Sequence, residues 1–379
     1  MTKSQKKIRE PLFHIVKQDT LGWKKPLAVR AIAIAMALIV CSLIIVIFTK
    51  RNPFDVFQAL ITGAIGYNGN GIMDLLQKTA ILLCISLAVT PAFKMKFWNI
   101  GAEGQVLMGG LAAAACMIML RGKVSNGILI LIIFVTGVVA GMIWGIIPAL
   151  FKAQWGANET LFTLMMNYCA MQIVSFFIVK WENPINSGKV GIINLRGEFK
   201  QIGWLPKIFG QDYVLNIIIV ALVTVIVYFY LKYSKQGFEI SVVGESENTA
   251  RYVGINVKKV IIRTMAISGA ICGLAGVLLV AGTHHTIAAN TAGGNGFTAV
   301  MVSWLAKFNP LIMAGVSFFI AFLEKGAGGV ATNTGLNSSL ADIIIGILLF
   351  FIIGCEFFLN YKVVMNRPLF PNKKKGGNE

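Results

Sequence analysis

The stretch KMKFWNIGAEGQ, residues 94–105, separates two of the most apolar runs in the chain. TAILLCISLAVTPAF precedes it and VLMGGLAAAACMIML follows it. Residues 79–93 and 105–120 are each too short to cross a bilayer core of about 30 Å as a helix. We therefore predict that polar backbone enters the membrane here, surrounded by protein or by a water-filled cavity. The alternative is an ordinary cytoplasmic turn between tilted helices, with Lys94 and Lys96 at the lipid headgroups.

The composition indicates a polytopic membrane protein. Of the 379 residues, 56% are hydrophobic and 13% are charged, whereas a soluble domain carries about 25% charged residues. The apolar blocks are continuous and long enough to span a membrane, which favours an all-α bundle over a barrel. The net charge of +18 is concentrated in two basic segments at the ends of the chain, so it indicates cytoplasmic termini rather than nucleic-acid binding.

The chain divides into a basic N-terminal segment (1–30), one transmembrane domain (31–360) and a basic tail (361–379). Both basic segments favour the cytoplasm, so the number of crossings should be even, and we expect about ten. The predicted spans are Ala31–Thr49, Ile72–Phe93, Gln105–Leu120, Gly127–Phe151, Thr160–Val179, Tyr213–Leu231, Thr264–Thr283, Phe297–Ala306, Leu311–Leu323 and Leu340–Leu359.

Some connections between these spans are informative. Residues 52–71 form an amphipathic connector. Loop 181–212 is expected outside the cell and loop 232–263 inside it. The block Phe297–Ala306 is short for a crossing, and a re-entrant hairpin there is the alternative.

Glycines recur at the spacing that lets helices approach closely. Gly137, Gly141 and Gly145 form one such series. Gly269, Gly273 and Gly276 form another. Tight helix packing is their expected role.

A second polar interruption is WGANETLFTLMMNYCA, residues 155–170. Glu159, Thr163 and Asn167 follow one another at i, i+4 spacing and so share a helix face. Asn158 precedes them at a capping position. The pattern predicts either helix capping with interhelical hydrogen bonds or a polar stripe along a transport pathway.

Motifs for nucleotide or metal chemistry are missing from the sequence. There is no GxxxxGK[ST] and no HExxH, and neither the histidines nor the cysteines have metal-ligand spacing. We expect no metal and no cofactor in this chain.

Four motifs in order carry a family resemblance: FWNIGAEGQ, GANETLFTLMMNY, GESENTARYVGINVKKV followed by ISGAICGLAG, and GFTAVMVSWLAKFNP. Over about residues 55–360 the chain resembles permease subunits of bacterial ABC importers of the branched-chain amino acid and simple-sugar superfamily. NIGAEGQ and GANE are similar to the nucleoside, guanosine-type branch. The chain departs from the family at Thr298, Ser303 and Ala306, where the family usually has Asp, Ala and Gly.

The resemblance implies a type II-like importer permease, which is not itself an enzyme. It implies a second related permease, two ATPase subunits that use ATP and magnesium, and an extracytoplasmic solute-binding lipoprotein as partners, in a bacterial plasma membrane. It also implies that loop 232–263 contains the coupling helix that contacts the ATPase, with these contact residues: Glu245, Asn248, Thr249, Ala250, Arg251, Tyr252 and Gly254.

For a nucleoside, the polar pathway residues expected from the two interruptions are Asn99, Glu103, Gln105, Asn158, Glu159, Thr163 and Asn167. The aromatic residues expected to stack on the base are Phe97, Trp98 and Phe162. A carboxylate at membrane depth is costly, so Glu103 should avoid lipid and have a polar neighbour, with Asn99, Gln105 and Asn167 as the candidates.

Two alternatives stay open. The solute could be a simple sugar or another small polar molecule. The chain could instead be an ion-coupled secondary transporter, which would need carboxylates near the membrane midplane; the late candidates are Glu324, Asp342 and Glu356.

Overall fold

The structure, a computed structural model, describes residues 13–17, 24–50, 52–66, 71–195, 200–208, 210–334 and 338–365. These residues are mainly helical. The helices are α1 (Lys24–Thr49), α2 (Pro53–Ile65), α3 (Gly71–Lys94), α4 (Ala102–Met119), α5 (Asn126–Trp155), α6 (Glu159–Trp181), α7 (Val214–Tyr233), α8 (Lys235–Glu245), α9 (Glu247–Tyr252), α10 (Val257–Leu279), α11 (Asn295–Leu305), α12 (Pro310–Thr334) and α13 (Ser338–Asn360). One π-helical turn, Val280–His284, extends α10.

Two compact units make up the chain. The first contains residues 1–63 and 326–379. In it α1 packs on α13, and strands β1 (Phe13–Lys17) and β2 (Tyr361–Met365) pair antiparallel, with Phe13 opposite Met365. Since β1 precedes α1 and β2 follows α13, the ribbon places the two strands that flank α1 and α13 on one side, in agreement with the even number of crossings. The prediction did not include this ribbon.

The second unit, residues 64–325, is built around α10, which packs on α3, α4 and α5. The first glycine series meets Gly269 and Gly273 of the second at the contact of α5 with α10, whereas Gly276 faces Val106 and Gly110 of α4. A Cβ on Gly145 would lie 2.8 Å from the Met265 carbonyl oxygen, and Gly141 faces Gly269 and Gly273 across the same contact. The predicted role of these glycines in tight packing is confirmed, because at these positions only hydrogen leaves room for the neighbouring backbone.

The predicted polytopic helical class is confirmed. Among the described residues, eight helices are long and apolar enough to cross a membrane, and α13 adds a further helix of 23 residues. Some predicted bounds are wrong. The helix expected from Gln105 begins at Ala102, and the short block expected at Leu311–Leu323 lies within the 25-residue α12. The amphipathic connector contains the 13-residue helix α2.

Helix α11 has only 11 residues, or about 16 Å at 1.5 Å per residue. It runs beside the second half of α3. Its first residue, Asn295, lines a cavity with Ile81, and the ring of Trp304, near its end, lies 6.2 Å from the ring of Phe93. The irregular segment 285–294 extends along the rest of α3.

The residues on either side of this segment contact opposite ends of α3. Before it, Thr283 bonds to Gln77 near the start of α3. After it, Met313 in the first turn of α12 contacts Thr90 near the end of α3. The chain therefore travels the length of α3 by an irregular half followed by a helical half. This arrangement supports a tenth crossing over a re-entrant hairpin.

Candidate functional site

The polar interruption between α3 and α4 is a short irregular segment, residues 95–101. Pro91 lies in the last turn of α3, and Lys96 adopts a left-handed conformation with φ of 60°. Proline lacks an N–H and a left-handed residue cannot continue the helix. Pro91 removes one backbone donor within the last turn, and the left-handed Lys96 ends the helix just after Lys94.

Two buried asparagines hold this segment in place. Asn99 accepts a hydrogen bond from the Gly101 N–H at 3.1 Å and donates to the Ser268 hydroxyl of α10 at 3.1 Å. Asn167 of α6 accepts from the Gly104 N–H at 2.9 Å and donates to the Ile100 carbonyl at 2.9 Å. These amides satisfy backbone groups that the broken helix leaves without partners.

Gln105 and Thr163 complete the same group. Gln105 donates to the Asn99 side-chain oxygen at 3.3 Å. Thr163 accepts from the Ile100 N–H at 3.2 Å. The four polar residues therefore lie together, as their predicted common role requires. Asn99 comes from the interruption, Gln105 from α4, and Thr163 and Asn167 from α6. Their hydrogen-bonding groups are directed at the protein itself.

Glu103, in the first turn of α4, is 2% exposed and binds the start of α11. One carboxylate oxygen accepts from the Gly294 N–H and the other from the Gly296 N–H, each at 2.8 Å. The expectation that Glu103 avoids lipid is confirmed. The expected partners Asn99, Gln105 and Asn167 are wrong, because two backbone N–H groups supply the hydrogen bonds instead.

Geometry at the start of α11 requires glycine. Gly294 has φ of 77°, a conformation that glycine adopts without strain. A Cβ on Gly296 would lie 2.8 Å from the Cα of Glu103. The carboxylate thus caps a helix that begins part-way along α3, where its N-terminal N–H groups would otherwise be unpaired. Sequence reasoning missed these glycines, although the polar, glycine-rich run TAGGNG before a short apolar block resembles the first interruption.

Asn158 and Glu159 have local partners. Asn158 caps α6 by accepting from the Thr160 and Leu161 N–H groups at 3.1 and 3.2 Å. Glu159 forms an ion pair with Lys152 at 2.8 Å. The capping alternative therefore describes Asn158.

The aromatic candidates lie in two places. Trp98 stacks on Trp304 of α11, with ring centroids 5.5 Å apart, while Phe97 is buried. Phe162 stacks on Phe151 with centroids 4.8 Å apart. Base stacking on these rings stays a prediction.

The predicted coupling segment forms α8 and α9. Ser246 separates them and caps α9 by accepting from the Thr249 N–H at 3.2 Å. Ala250 is fully buried and anchors α9, whereas Tyr252 is 93% exposed. Gly254 ends the segment with φ of 82°.

Other coupling candidates lie on the outer surface of this segment. Glu245, Asn248, Thr249 and Arg251 are exposed, and Arg251 pairs with Glu247 at 3.4 Å. On the inner side, Gly244 packs directly against the backbone of Lys94 and Met95. The coupling segment therefore touches the polar interruption.

A cavity of about 720 Å³ lies beyond the start of α11. Its lining comes from the first turns of α3, the end of α10, the irregular segment 285–294 and α12. Its polar members include Asp74, Gln77, Lys78, Tyr213, Asn290, Asn295 and Glu324. Tyr213 also lines a second cavity, of about 560 Å³, beside loop 200–207.

Comparison with known proteins agrees with this architecture. The chain is 31% identical to the guanosine ABC transporter permease protein NupP of Bacillus subtilis, over 93% of this chain and 98% of the relative. It is 27% identical to the glucose ABC transporter permease protein TsgB13 of Haloferax volcanii, over 77% and 78% of the two chains. It is 26% identical to the nucleoside ABC transporter permease protein NupB of Lactococcus lactis, over 86% and 90%.

Residues 71–353, about three quarters of the sequence, match the family model described as branched-chain amino acid transport system / permease component. The match begins at α3 and extends into α13, so it includes the polar interruption, α11 and the coupling segment. The chain belongs to this family of ABC transporter permeases and is a multi-pass membrane protein.

Proposed function

We propose that this chain is the membrane-spanning permease subunit of an ATP-driven importer for nucleosides. The observation that carries the proposal is the end-to-end similarity to NupP, which is named a guanosine permease and is matched over 98% of its length. Similarity to TsgB13, named a glucose permease, supports a simple sugar as the second candidate solute.

The geometry supports a transporter in which movement of the coupling segment is passed on to the helix bundle. The polar interruption touches the coupling segment on one side, through Gly244. On the other side it is followed by Glu103, which binds the start of α11. A displacement of α8 together with α9 by an ATPase would therefore act on the two irregular segments of the bundle. Such discontinuous helices are where transporters commonly place their pathways.

In this proposal, the polar group of Asn99, Gln105, Thr163 and Asn167, with Glu103, lies behind the wall of the pathway and keeps the interruption in shape. Asn158 and Glu159 lie at its cytoplasmic end. The hydrolysis of ATP takes place in partner ATPase subunits, because the sequence lacks a P-loop. A second related permease and an extracytoplasmic solute-binding lipoprotein complete the complex, in a bacterial plasma membrane.

Uptake in a strain that lacks its own nucleoside importers tests the proposal. Cells that express the complete transporter should accumulate labelled guanosine, and excess glucose should not compete. A partner ATPase without its catalytic glutamate should abolish uptake, whereas a protonophore should have no immediate effect. Immediate loss of uptake with the protonophore, together with normal uptake by the ATPase variant, would instead indicate an ion-coupled secondary transporter.

A further inference from the structure

Asp74, Lys78 and Glu324, which line the 720 Å³ cavity, each have a partner of opposite charge. Lys78 contacts Glu324 at 3.0 Å. Asp74 has Lys325 at 3.7 Å. Gln77 is also engaged, since it accepts from the Asn216 amide at 3.2 Å and donates to Thr283. A solute that enters therefore meets charges that already have partners.

Two side-chain amides that line the cavity, one in segment 285–294 and one at the start of α11, differ from Gln77 in having no hydrogen-bonding partner among the described residues. Within the described part of the chain, the side chains of Asn290 and Asn295 make no hydrogen bond, although both line the cavity. Their neighbours are held firmly, because the Gly293 N–H donates to the Asn290 carbonyl at 2.8 Å and Glu103 fixes Gly294. Each free amide offers one acceptor and two N–H donors.

Tyr213 provides a further neutral group on the opposite wall. Burial, together with the nearby Asp74 and Asp212, raises the pKa of its hydroxyl above the ordinary value. The hydroxyl therefore keeps its proton at neutral pH and can donate as well as accept. Tyr213 and Thr283 line both this cavity and the second one.

These features define the class of solute that fits. The volume of about 720 Å³ lies within the range of about 300–1,000 Å³ found for small-molecule sites. A phosphate or an amino-acid zwitterion would need free charges of opposite sign, which the paired side chains do not offer. Glu103 also occupies the helix start that could otherwise attract an anion. A neutral molecule rich in hydroxyls suits the free amides and the phenol.

We propose that this cavity is a recognition site for a neutral polyhydroxylated solute, with Asn290 and Asn295 as its specificity-determining residues and Tyr213 as a further neutral hydrogen-bonding group in its lining. The inference rests on the proposed import function and assigns that function a place in the fold.

Site-directed thiol labelling of cells that carry the complete transporter tests this inference. Asn295→Cys and Asn290→Cys are placed in a Cys169→Ser parent, which removes an exposed native thiol. A membrane-impermeant thiol reagent should label both from outside. Guanosine at about twice its dissociation constant should slow labelling about threefold, because protection follows site occupancy as one plus the ratio of free guanosine to its Kd. Guanosine monophosphate and leucine should have no effect. Ile185→Cys, in an exposed loop away from the cavity, is the control, and its labelling should not change.

Uptake by alanine variants gives an independent measurement. Asn290→Ala and Asn295→Ala should each lower the initial rate of guanosine uptake about three- to tenfold at matched expression. Gln172→Ala, an exposed amide on α6, is the matched control and should transport like wild type.

The outcomes separate the site from the function. Protection by glucose in place of guanosine would support the site with a sugar as its solute. Equal protection by guanosine monophosphate or leucine would overturn the neutral class. If wild-type cells import guanosine while labelling and alanine variants show no effect, the site is wrong and the proposed function stands. If wild-type cells import neither nucleosides nor sugars, the proposed function fails and this inference fails with it.

Discussion

Glu103 shows how one buried carboxylate can connect two distant parts of a chain. It lies 191 residues from Gly294 in sequence, and its two oxygens each accept one backbone N–H. The sequence allowed the prediction that this carboxylate avoids lipid, because an unshielded charge at membrane depth is costly. Its partners could not be predicted, since every residue except proline has a backbone N–H and no sequence pattern marks the ones that a carboxylate selects.

Substitution of Glu103 should separate its shape from its capacity to accept hydrogen bonds. Glu103→Gln retains the shape but keeps only one acceptor oxygen, so its second polar atom, an NH2 group, faces an N–H donor. Glu103→Leu leaves both N–H groups of α11 unpaired, at about 1–3 kcal/mol for each. We expect reduced guanosine uptake for the glutamine variant and near-complete loss for the leucine variant, measured at matched membrane expression.

Glu159→Gln is the control for removal of a carboxylate, because Glu159 pairs with a lysine side chain that is partly exposed. It should reduce uptake less than Glu103→Leu. A leucine variant of Glu103 that transports like wild type would show that the cap on α11 has no role in import.

At the scale of elements, close packing of α5 on α10 depends on residues without side chains. The glycine spacing predicted tight packing correctly. It did not predict that the glycines of α5 face Gly269 and Gly273, because spacing along one helix does not identify the partner helix.

A single methyl group at this contact should be destabilising. A Cβ on Gly141 would overlap the Gly273 backbone, whereas a Cβ on Gly127, in the first turn of the same helix, meets nothing within 4 Å. We expect Gly141→Ala to lower stability by about 1–3 kcal/mol, as overpacking does. Gly127→Ala should be neutral or slightly stabilising, because alanine favours helix. The thermal midpoint of the purified complex measures both, and equal midpoints would contradict the contact.

The coupling segment is an element whose two faces differ. Ala250 is buried against the bundle and Tyr252 projects outward. The family resemblance implied a coupling helix here. The packing of α8 against the polar interruption could not be predicted, because Gly244, which allows it, has no side chain to reveal a preference.

Substitutions on the outward face should weaken the ATPase contact and leave the fold intact. Exposed aromatic residues are frequent energetic centres of interfaces, where truncation costs about 2 kcal/mol or more, roughly a thirtyfold loss of affinity. We therefore expect Tyr252→Ala and Arg251→Glu to insert normally, lose most co-purifying ATPase and abolish uptake. Ile185→Ala, an exposed apolar residue in the loop predicted on the opposite side, should retain the ATPase. Normal co-purification with both coupling variants would place the ATPase contact elsewhere.

At the scale of the whole molecule, the number of crossings depends on a segment that hydropathy alone describes poorly. The sequence predicted about ten spans, with the block Phe297–Ala306 uncertain because of its length. The structure accounts for that block by pairing the 11-residue α11 with an irregular half. Hydropathy reports apolar length, so it cannot recognise irregular backbone that protein shields from lipid.

Accessible cysteines should report the resulting orientation. In the Cys169→Ser parent, Asn248→Cys should be shielded from an impermeant thiol reagent in intact cells and should react after permeabilisation. Lys189→Cys should react in intact cells. We select Lys189 over its neighbour Gly191 because Gly191 has φ of 68°, a conformation that a cysteine would strain. Reaction of Asn248→Cys in intact cells would reverse the predicted orientation.

The glycine contact between α5 and α10 also has a consequence for biosynthesis. About a hundred residues separate the end of α5 at Trp155 from the start of α10 at Val257. At roughly 5–20 residues per second, the ribosome needs roughly 5–20 seconds to make them. During that interval the glycine face of α5 lies in the membrane before its partner exists. The nascent chain therefore depends on lipid or an insertion factor to cover that face, and a chain released before residue 257 should be a substrate for membrane proteases.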